Sequence, residues 1–119
     1  MNKLKEIELP VYKVSYELLL DSFKLIKGVT REYKYTLGEK LKNELTDLLM
    51  NVYRANKIRD KSLKLIKIEE SVENIEVIRL LFRLLKDLHE ISIEEHVKVS
   101  CKIENVRRQL NGWEKHLSK

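Results

Sequence analysis

Residues that form turns are almost absent from this chain, and their scarcity restricts its fold more than any other feature of the sequence. Only 3 glycines and 1 proline occur among the 119 residues. A sandwich or barrel of short strands needs a turn every ~8–12 residues, so folds of that kind are excluded. Hydrophobic residues make up 43% of the chain, which is enough for a core. We therefore expect one all-α domain over residues 1–119.

The first two helices are marked by apolar residues that recur every three or four positions. We predict helix one over residues 10–27, because Pro10 suits a first helical turn. Its predicted apolar stripe consists of Tyr12, Tyr16, Leu19, Phe23 and Ile26. We predict that helix two begins within 31–36 and reaches about Asn56, since its apolar stripe continues unbroken to Ala55.

The second half of the chain contains two further helices. Segment 57–66 has the weakest apolar pattern, so we predict a loop or a frayed helix end there and a third helix over 67–89. Ser92 and Glu95 have the spacing of a capping box and predict the start of helix four, which Gly112 is expected to end. Four helices with short connections predict an up-and-down antiparallel four-helix bundle.

Helix three has more apolar surface than a single bundle requires. Its apolar positions cover an arc of about 220°, against the ~100° stripe that is typical of a surface helix. The excess favours a homo-oligomer whose interface contains Leu81, Leu84 and Leu88. The alternative is a monomer in which this helix is simply the most enclosed of the four.

A row of three cations lies on the remaining, polar arc of helix three. Arg79, Arg83 and Lys86 are spaced so that they share one side of the helix. One interpretation is a basic patch that binds phosphates or an acidic partner surface. The other is a solvated face in which Glu76 pairs with Arg79 and Arg83 pairs with Asp87.

Positive charge is also concentrated between residues 54 and 67. Six cations occur there against one carboxylate, Asp60, and this excess equals the net charge of +5 of the whole chain. Concentrated cations bind polyanions without sequence specificity, because counterions are released. Two arginines near the end of helix four complete the candidate surface. The candidate residues for binding nucleic acid or a polymerase are Arg54, Lys57, Arg59, Lys61, Lys64, Arg79, Arg83, Lys86, Arg107 and Arg108.

Motifs for catalysis are absent, with one weak exception. The sequence has no glycine-rich phosphate loop, nucleophile motif or metal-ligand pair, so we predict a protein that is not an enzyme and needs no metal or cofactor. Arg83 and His89 have the Arg-x5-His spacing of HEPN-type ribonucleases. In those enzymes a polar residue commonly follows the arginine, whereas Leu84 follows it here, and the spacing also occurs often by chance.

The location of the protein in the cell is predicted from two features that the sequence lacks, a transmembrane helix and a signal peptide. No run of about 18 apolar residues occurs, so no transmembrane helix is expected. The N-terminal residues lack the apolar core of a signal peptide before charged residues recur. We therefore predict a cytoplasmic protein without a membrane partner.

Three groups of residues indicate a family. They are Arg31 with Tyr35-Thr36-Leu37-Gly38, then Arg79-Leu80-Leu81 with Arg83-Leu84-Leu85-Lys86-Asp87, and Arg108-Gln109-Leu110 with Gly112-Trp113. Together with the order of segments from Leu9 to Trp113, they resemble the accessory variability determinant (Avd) proteins of diversity-generating retroelements. Val29-Thr30 and Asn111 depart from the family pattern at helix ends, where they should alter connections rather than function.

The resemblance implies a four-helix bundle that assembles as a basic pentamer and binds a reverse transcriptase together with template RNA or the DNA copied from it. It implies an accessory role in mutagenic retrohoming, in which a template RNA is copied with errors at adenines and the product replaces a variable gene segment. The chemistry in that process belongs to the polymerase. A related group of four-helix bundles, encoded within ribosomal RNA intervening sequences, shares the fold and is the alternative.

Overall fold

Residues 9–118 are described by the computed structural model and contain four helices and no strand. Helix α1 is Pro10–Lys27, α3 is Lys61–Asp87 and α4 is Ile93–Leu117. Between them, α2 begins at Arg31–Tyr33, passes through a π-helical turn at Lys34–Gly38 and continues as Glu39–Lys57. The all-α fold class is therefore confirmed.

The four helices form a bundle in which each packs against two neighbours. Helix α1 contacts α2 and α4, and α3 contacts the same two helices. Connections of three to five residues join them, as expected for antiparallel neighbours. Helices α3 and α4 are antiparallel, as two contacts between them show: Glu76 contacts Arg107, whereas the later residue Arg79 contacts the earlier residue Glu104.

The core lies along the bundle axis and consists mainly of Leu, Ile and Val. Its largest fully buried side chains are Leu18, Ile26, Leu41, Leu45, Leu48, Ile68, Ile75, Ile78, Phe82, Leu85, Ile103 and Leu110. Burial of one such side chain stabilises the fold by about 1.5–3 kcal/mol. A continuous core of this kind holds the outer faces of the helices in fixed positions.

The prediction for segment 57–66 is wrong over most of its length. Only residues 58–60 connect α2 to α3, and α3 begins at Lys61 and ends at Asp87 rather than at 89. The side chain of Asp60 caps the helix, because its Oδ1 accepts a hydrogen bond from the Leu63 amide at 3.0 Å. The apolar pattern is weak here because none of residues 61–67 is buried, and Leu63 and Ile66 are exposed.

The start of α4 is confirmed, but its predicted end is wrong. Ser92 Oγ accepts from the Glu95 amide at 3.0 Å and Glu95 Oε1 accepts from the Ser92 amide at 2.8 Å, which completes the capping box. The helix then passes through Gly112 and continues for another turn. It does so because Trp113 and Leu117 pack against the core, whereas Gly112 itself is exposed.

No helix within residues 9–118 has both the length and the low charge required to cross a membrane. The prediction about a signal peptide concerns residues that mostly lie outside the described part of the chain.

Candidate assembly and binding surfaces

Arg79, the first residue of the predicted cation row, lies between two carboxylates. Its Nε is 3.4 Å from Glu76, and its Nη1 donates a hydrogen bond to Glu104 of α4. Burial lowers the pKa of the guanidinium, but the hydrogen bond to Glu104 and the negative charges of Glu76 and Glu104 outweigh it, so the pKa of Arg79 is raised. The charge of Arg79 is therefore compensated within the molecule.

Arg107 of α4 belongs to the same ion-pair network. Its Nε is 3.1 Å from Glu76 Oε1, and its Nη1 is 3.9 Å from Glu114 and donates to Asn111 Oδ1. Glu76 thus joins a cation of α3 to a cation of α4. The neighbouring Arg108 is exposed, and no ion pair involves it within residues 9–118.

The other two cations of the row share one carboxylate. Arg83 Nε is 3.9 Å from Asp87 Oδ2, and Lys86 Nζ is 3.5 Å from Asp87 Oδ1. The Arg83 side chain is 73% exposed, so this pair stabilises the fold little. Both ion pairs expected for a solvated face are therefore present. Arg83 nevertheless remains accessible to a partner.

The basic segment lies at the end of the bundle where α2 passes into α3. It contains the predicted residues Arg54, Lys57, Arg59, Lys61 and Lys64. Two of its ammonium groups lie over aromatic rings: Lys57 Nζ is 5.5 Å from the Tyr53 ring centre, and Lys64 Nζ is 5.9 Å from that of Trp113. Cation–π contacts of this kind hold the long side chains near the helix surface.

Exposed leucines form a row on the outer face of α3. Leu80, Leu84 and Leu88 are 58%, 40% and 39% exposed and follow one another at four-residue intervals. Leu81, by contrast, is only 4% exposed and belongs to the core of the single chain. The structure therefore places Leu81 in the core and adds Leu80 to the exposed row with Leu84 and Leu88, and the oligomer interface itself stays a prediction.

A second exposed apolar surface lies on α1. Tyr16 and Leu20 are 45% and 44% exposed, and the Tyr16 ring stacks on that of Tyr12 with a centroid distance of 6.4 Å. The sequence assigned Tyr16 to the apolar stripe of the core. The other members of that stripe do pack against the core. The buried face of α1 also contains Ser15 and Ser22, and these two polar residues weaken its hydrophobic pattern in the sequence.

The two residues with ribonuclease spacing lie on either side of the end of α3. Arg83 contacts Asp87. His89 is exposed just beyond the helix, with a left-handed φ of 62° that histidine adopts more readily than most residues. No group of three or more His, Cys, Asp or Glu side chains within the described residues is arranged to hold a metal ion.

The fold and these surfaces define a small helical bundle with exposed leucine rows and basic patches on rigid helices. A family model described as bAvd-like matches residues 11–117. The chain therefore belongs to the bAvd-like family, which is consistent with an Avd-type protein. A comparison with curated proteins finds no match.

Proposed function

We propose that the protein is a non-catalytic accessory protein of a diversity-generating retroelement. In this proposal it assembles as a homo-oligomer in the cytoplasm and binds a reverse transcriptase together with template RNA or its DNA copy. The observation that carries the proposal is the bAvd-like match over residues 11–117. The polymerase supplies the chemistry of mutagenic retrohoming, and this protein supplies fixed surfaces for binding.

The exposed leucines of α3 support the assembly. A closed ring of more than two copies needs a heterologous contact, in which two different surfaces of the same chain meet. We assign Leu80, Leu84 and Leu88 to one surface and Tyr16 and Leu20 of α1 to the other. The pentameric ring size comes from the family resemblance alone.

The cations support binding of a polyanion in two different ways. Arg83 and Arg108 are exposed on helices, where a guanidinium binds a phosphate or carboxylate through two hydrogen bonds. Arg79 can join them by exchanging Glu104 for the anion of a partner. The charges between residues 54 and 67 act more diffusely and should attract every polyanion alike.

Binding titrations at increasing salt concentration test the proposal. We expect Arg79→Ala, Arg83→Ala and Arg108→Ala each to weaken binding of the template RNA and of the reverse transcriptase while helicity and assembly remain intact. Each lost phosphate contact should lower the salt slope of log K by roughly one. Joint neutralisation of Lys57, Arg59, Lys61 and Lys64 is the comparison, and it should weaken binding to template RNA and to an unrelated RNA equally.

Two results of this experiment would contradict the proposal. Parental affinity and salt slope in the three arginine variants would mean that these residues only form ion pairs in a solvated face. Cleavage of the RNA by the parent protein, lost in His89→Ala, would mean that the protein is a nuclease rather than an accessory protein. We expect the RNA recovered from both proteins to be intact.

A further inference from the structure

The π-helical turn Lys34–Gly38 fixes the beginning of α2 against the end of α1. A Cβ atom at Gly38 would lie only 3.2 Å from Ile26 Cγ2, so the backbone approaches α1 closely at this buried glycine. The Thr36 hydroxyl lies 3.3 Å from the carbonyl oxygens of Glu32 and Tyr33 and can donate to either. Single π-helical turns within α-helices occur frequently at functional sites. The side chains presented by this turn are therefore of interest.

Tyr35 projects from this turn into solvent. Its side chain is 65% exposed, more than any other aromatic residue among residues 9–118. The other two exposed tyrosines have ring partners, since Tyr16 stacks on Tyr12 and Tyr53 lies beneath the Lys57 ammonium. The described part of the chain has no ring contact to Tyr35. Most of this residue is therefore accessible to a partner.

Cations surround this tyrosine along the chain. Lys27 ends α1, Arg31 precedes Tyr35 by one helical turn, Lys34 adjoins it, and Glu32 is the only carboxylate between residues 27 and 35. Glu90 approaches the same turn, since its Oε1 accepts a hydrogen bond from the Thr30 amide at 2.7 Å, but no carboxylate among residues 9–118 forms an ion pair with Lys27, Arg31 or Lys34. In the cation row of α3, by contrast, Arg79 contacts two carboxylates, and Arg83 and Lys86 share Asp87.

We propose that Lys27, Arg31, Lys34 and Tyr35 bind single-stranded nucleic acid, with the cations on phosphates and one base stacked on the Tyr35 ring. We name this group the Tyr35 corner. An exposed aromatic ring beside a positively charged groove is the arrangement that binds single strands without sequence preference. A single-stranded nucleic acid supplies both phosphates for the cations and a flat base for the ring. This inference rests on the proposed function, because it assigns a site to the nucleic acid.

The test compares a single-stranded RNA with an abasic strand of the same length, which keeps the phosphates but lacks the bases. The affinity of the full-length protein for each strand is measured by fluorescence anisotropy. Tyr35→Ala should weaken binding of the RNA by about tenfold, the usual effect of losing one stacked base, and leave binding of the abasic strand unchanged. Tyr35→Phe keeps the ring and should bind like the parent protein. Arg31→Gln with Lys34→Gln should weaken binding of both strands.

Tyr53→Ala is the matched control, since Tyr53 is an exposed tyrosine beside Arg54 and Lys57 at the other end of α2. Because its ring supports the Lys57 ammonium, whose charge binds phosphates, any loss in this variant should be equal on both strands. Parental RNA affinity in Tyr35→Ala, or an equal loss on both strands, would overturn the Tyr35 corner while leaving the proposed function intact. If Tyr35→Ala lost only its binding to the reverse transcriptase, that result would also overturn the proposal and would assign the Tyr35 corner to a protein partner. If the parent protein binds no nucleic acid at all, both proposals fail.

Discussion

Three serines are buried in the bundle, and their hydroxyl groups differ in hydrogen bonding. Ser71 Oγ donates to the Lys67 carbonyl oxygen at 3.0 Å. Ser15 Oγ and Ser22 Oγ have no hydrogen-bond partner within the described residues. A buried polar group without a partner loses its hydration without compensation, at a cost of about 1–3 kcal/mol. The core face of α1 therefore contains two local sources of instability.

Replacement of one of these serines tests this account at the residue scale. We expect Ser22→Ala to raise the free energy of unfolding by about 1 kcal/mol, because the desolvated hydroxyl is removed and the methyl group remains in the core. The measurement is denaturant unfolding at a fixed protein concentration, since assembly makes stability depend on concentration. Ser71→Ala is the control and should not stabilise the protein, since its hydroxyl is already satisfied. A loss of stability in Ser22→Ala would contradict this account.

At the scale of the helices, local signals in the sequence were more reliable than patterns of burial. The bounds of α1 and the capping box of α4 could be predicted, because proline at a first turn and Ser92 with Glu95 act through nearby backbone groups. The start of α3 was missed although Asp60 is a local cap, because none of residues 61–67 is buried and the apolar pattern is weak there. The π-helical turn of α2 could not be predicted, since it depends on contact between Gly38 and a side chain of another helix.

Protonation of His96 makes the free energy of unfolding depend on pH. Its pKa is lowered by burial and by the positive charges of Lys86 and Arg83, and Asp87 opposes these only in part. The folded protein therefore takes up this proton at a lower pH than the unfolded chain does. As the pH falls below the ordinary histidine range, about 6.5, the unfolded state is protonated first and the free energy of unfolding decreases.

Two substitutions test this pH dependence. His96→Gln should remove the contribution and make stability fall less between neutral and mildly acidic pH. Lys86→Gln, which removes one nearby positive charge, should have a smaller effect in the same direction. The measurement is thermal unfolding across this range. An equally steep decline in His96→Gln and in the parent protein would show that His96 does not contribute.

At the scale of the whole molecule, the sequence predicted the excess apolar surface of α3 and two of its exposed leucines, Leu84 and Leu88, but exchanged Leu80 for Leu81. The width of the apolar arc shows that α3 has more apolar surface than one bundle requires. Which residues of the arc are covered by the neighbouring helices depends on how those helices pack. Leu81 is therefore buried, whereas Leu80 is exposed. The basic residues were likewise predicted as a group, and their ion pairs with α4 became clear only when both helices were placed together.

The difference between the leucines leads to a prediction about assembly. We expect Leu84→Glu to dissociate the oligomer while each chain stays helical, because the new carboxylate remains solvated in the separated chain. Leu81→Glu should instead unfold the chain, since it buries an unpaired charge in the core. Circular dichroism and light scattering distinguish these outcomes. Dissociation without unfolding in Leu81→Glu would place that residue at an interface after all.

Native mass spectrometry of the full-length protein tests the central claim most directly. The account predicts a single closed homo-oligomer of five copies. Leu84→Glu and Leu20→Glu should each be monomeric, and their equal mixture should form a dimer, because one intact contact between α3 and α1 remains. A monomeric parent protein at micromolar concentration would contradict the account.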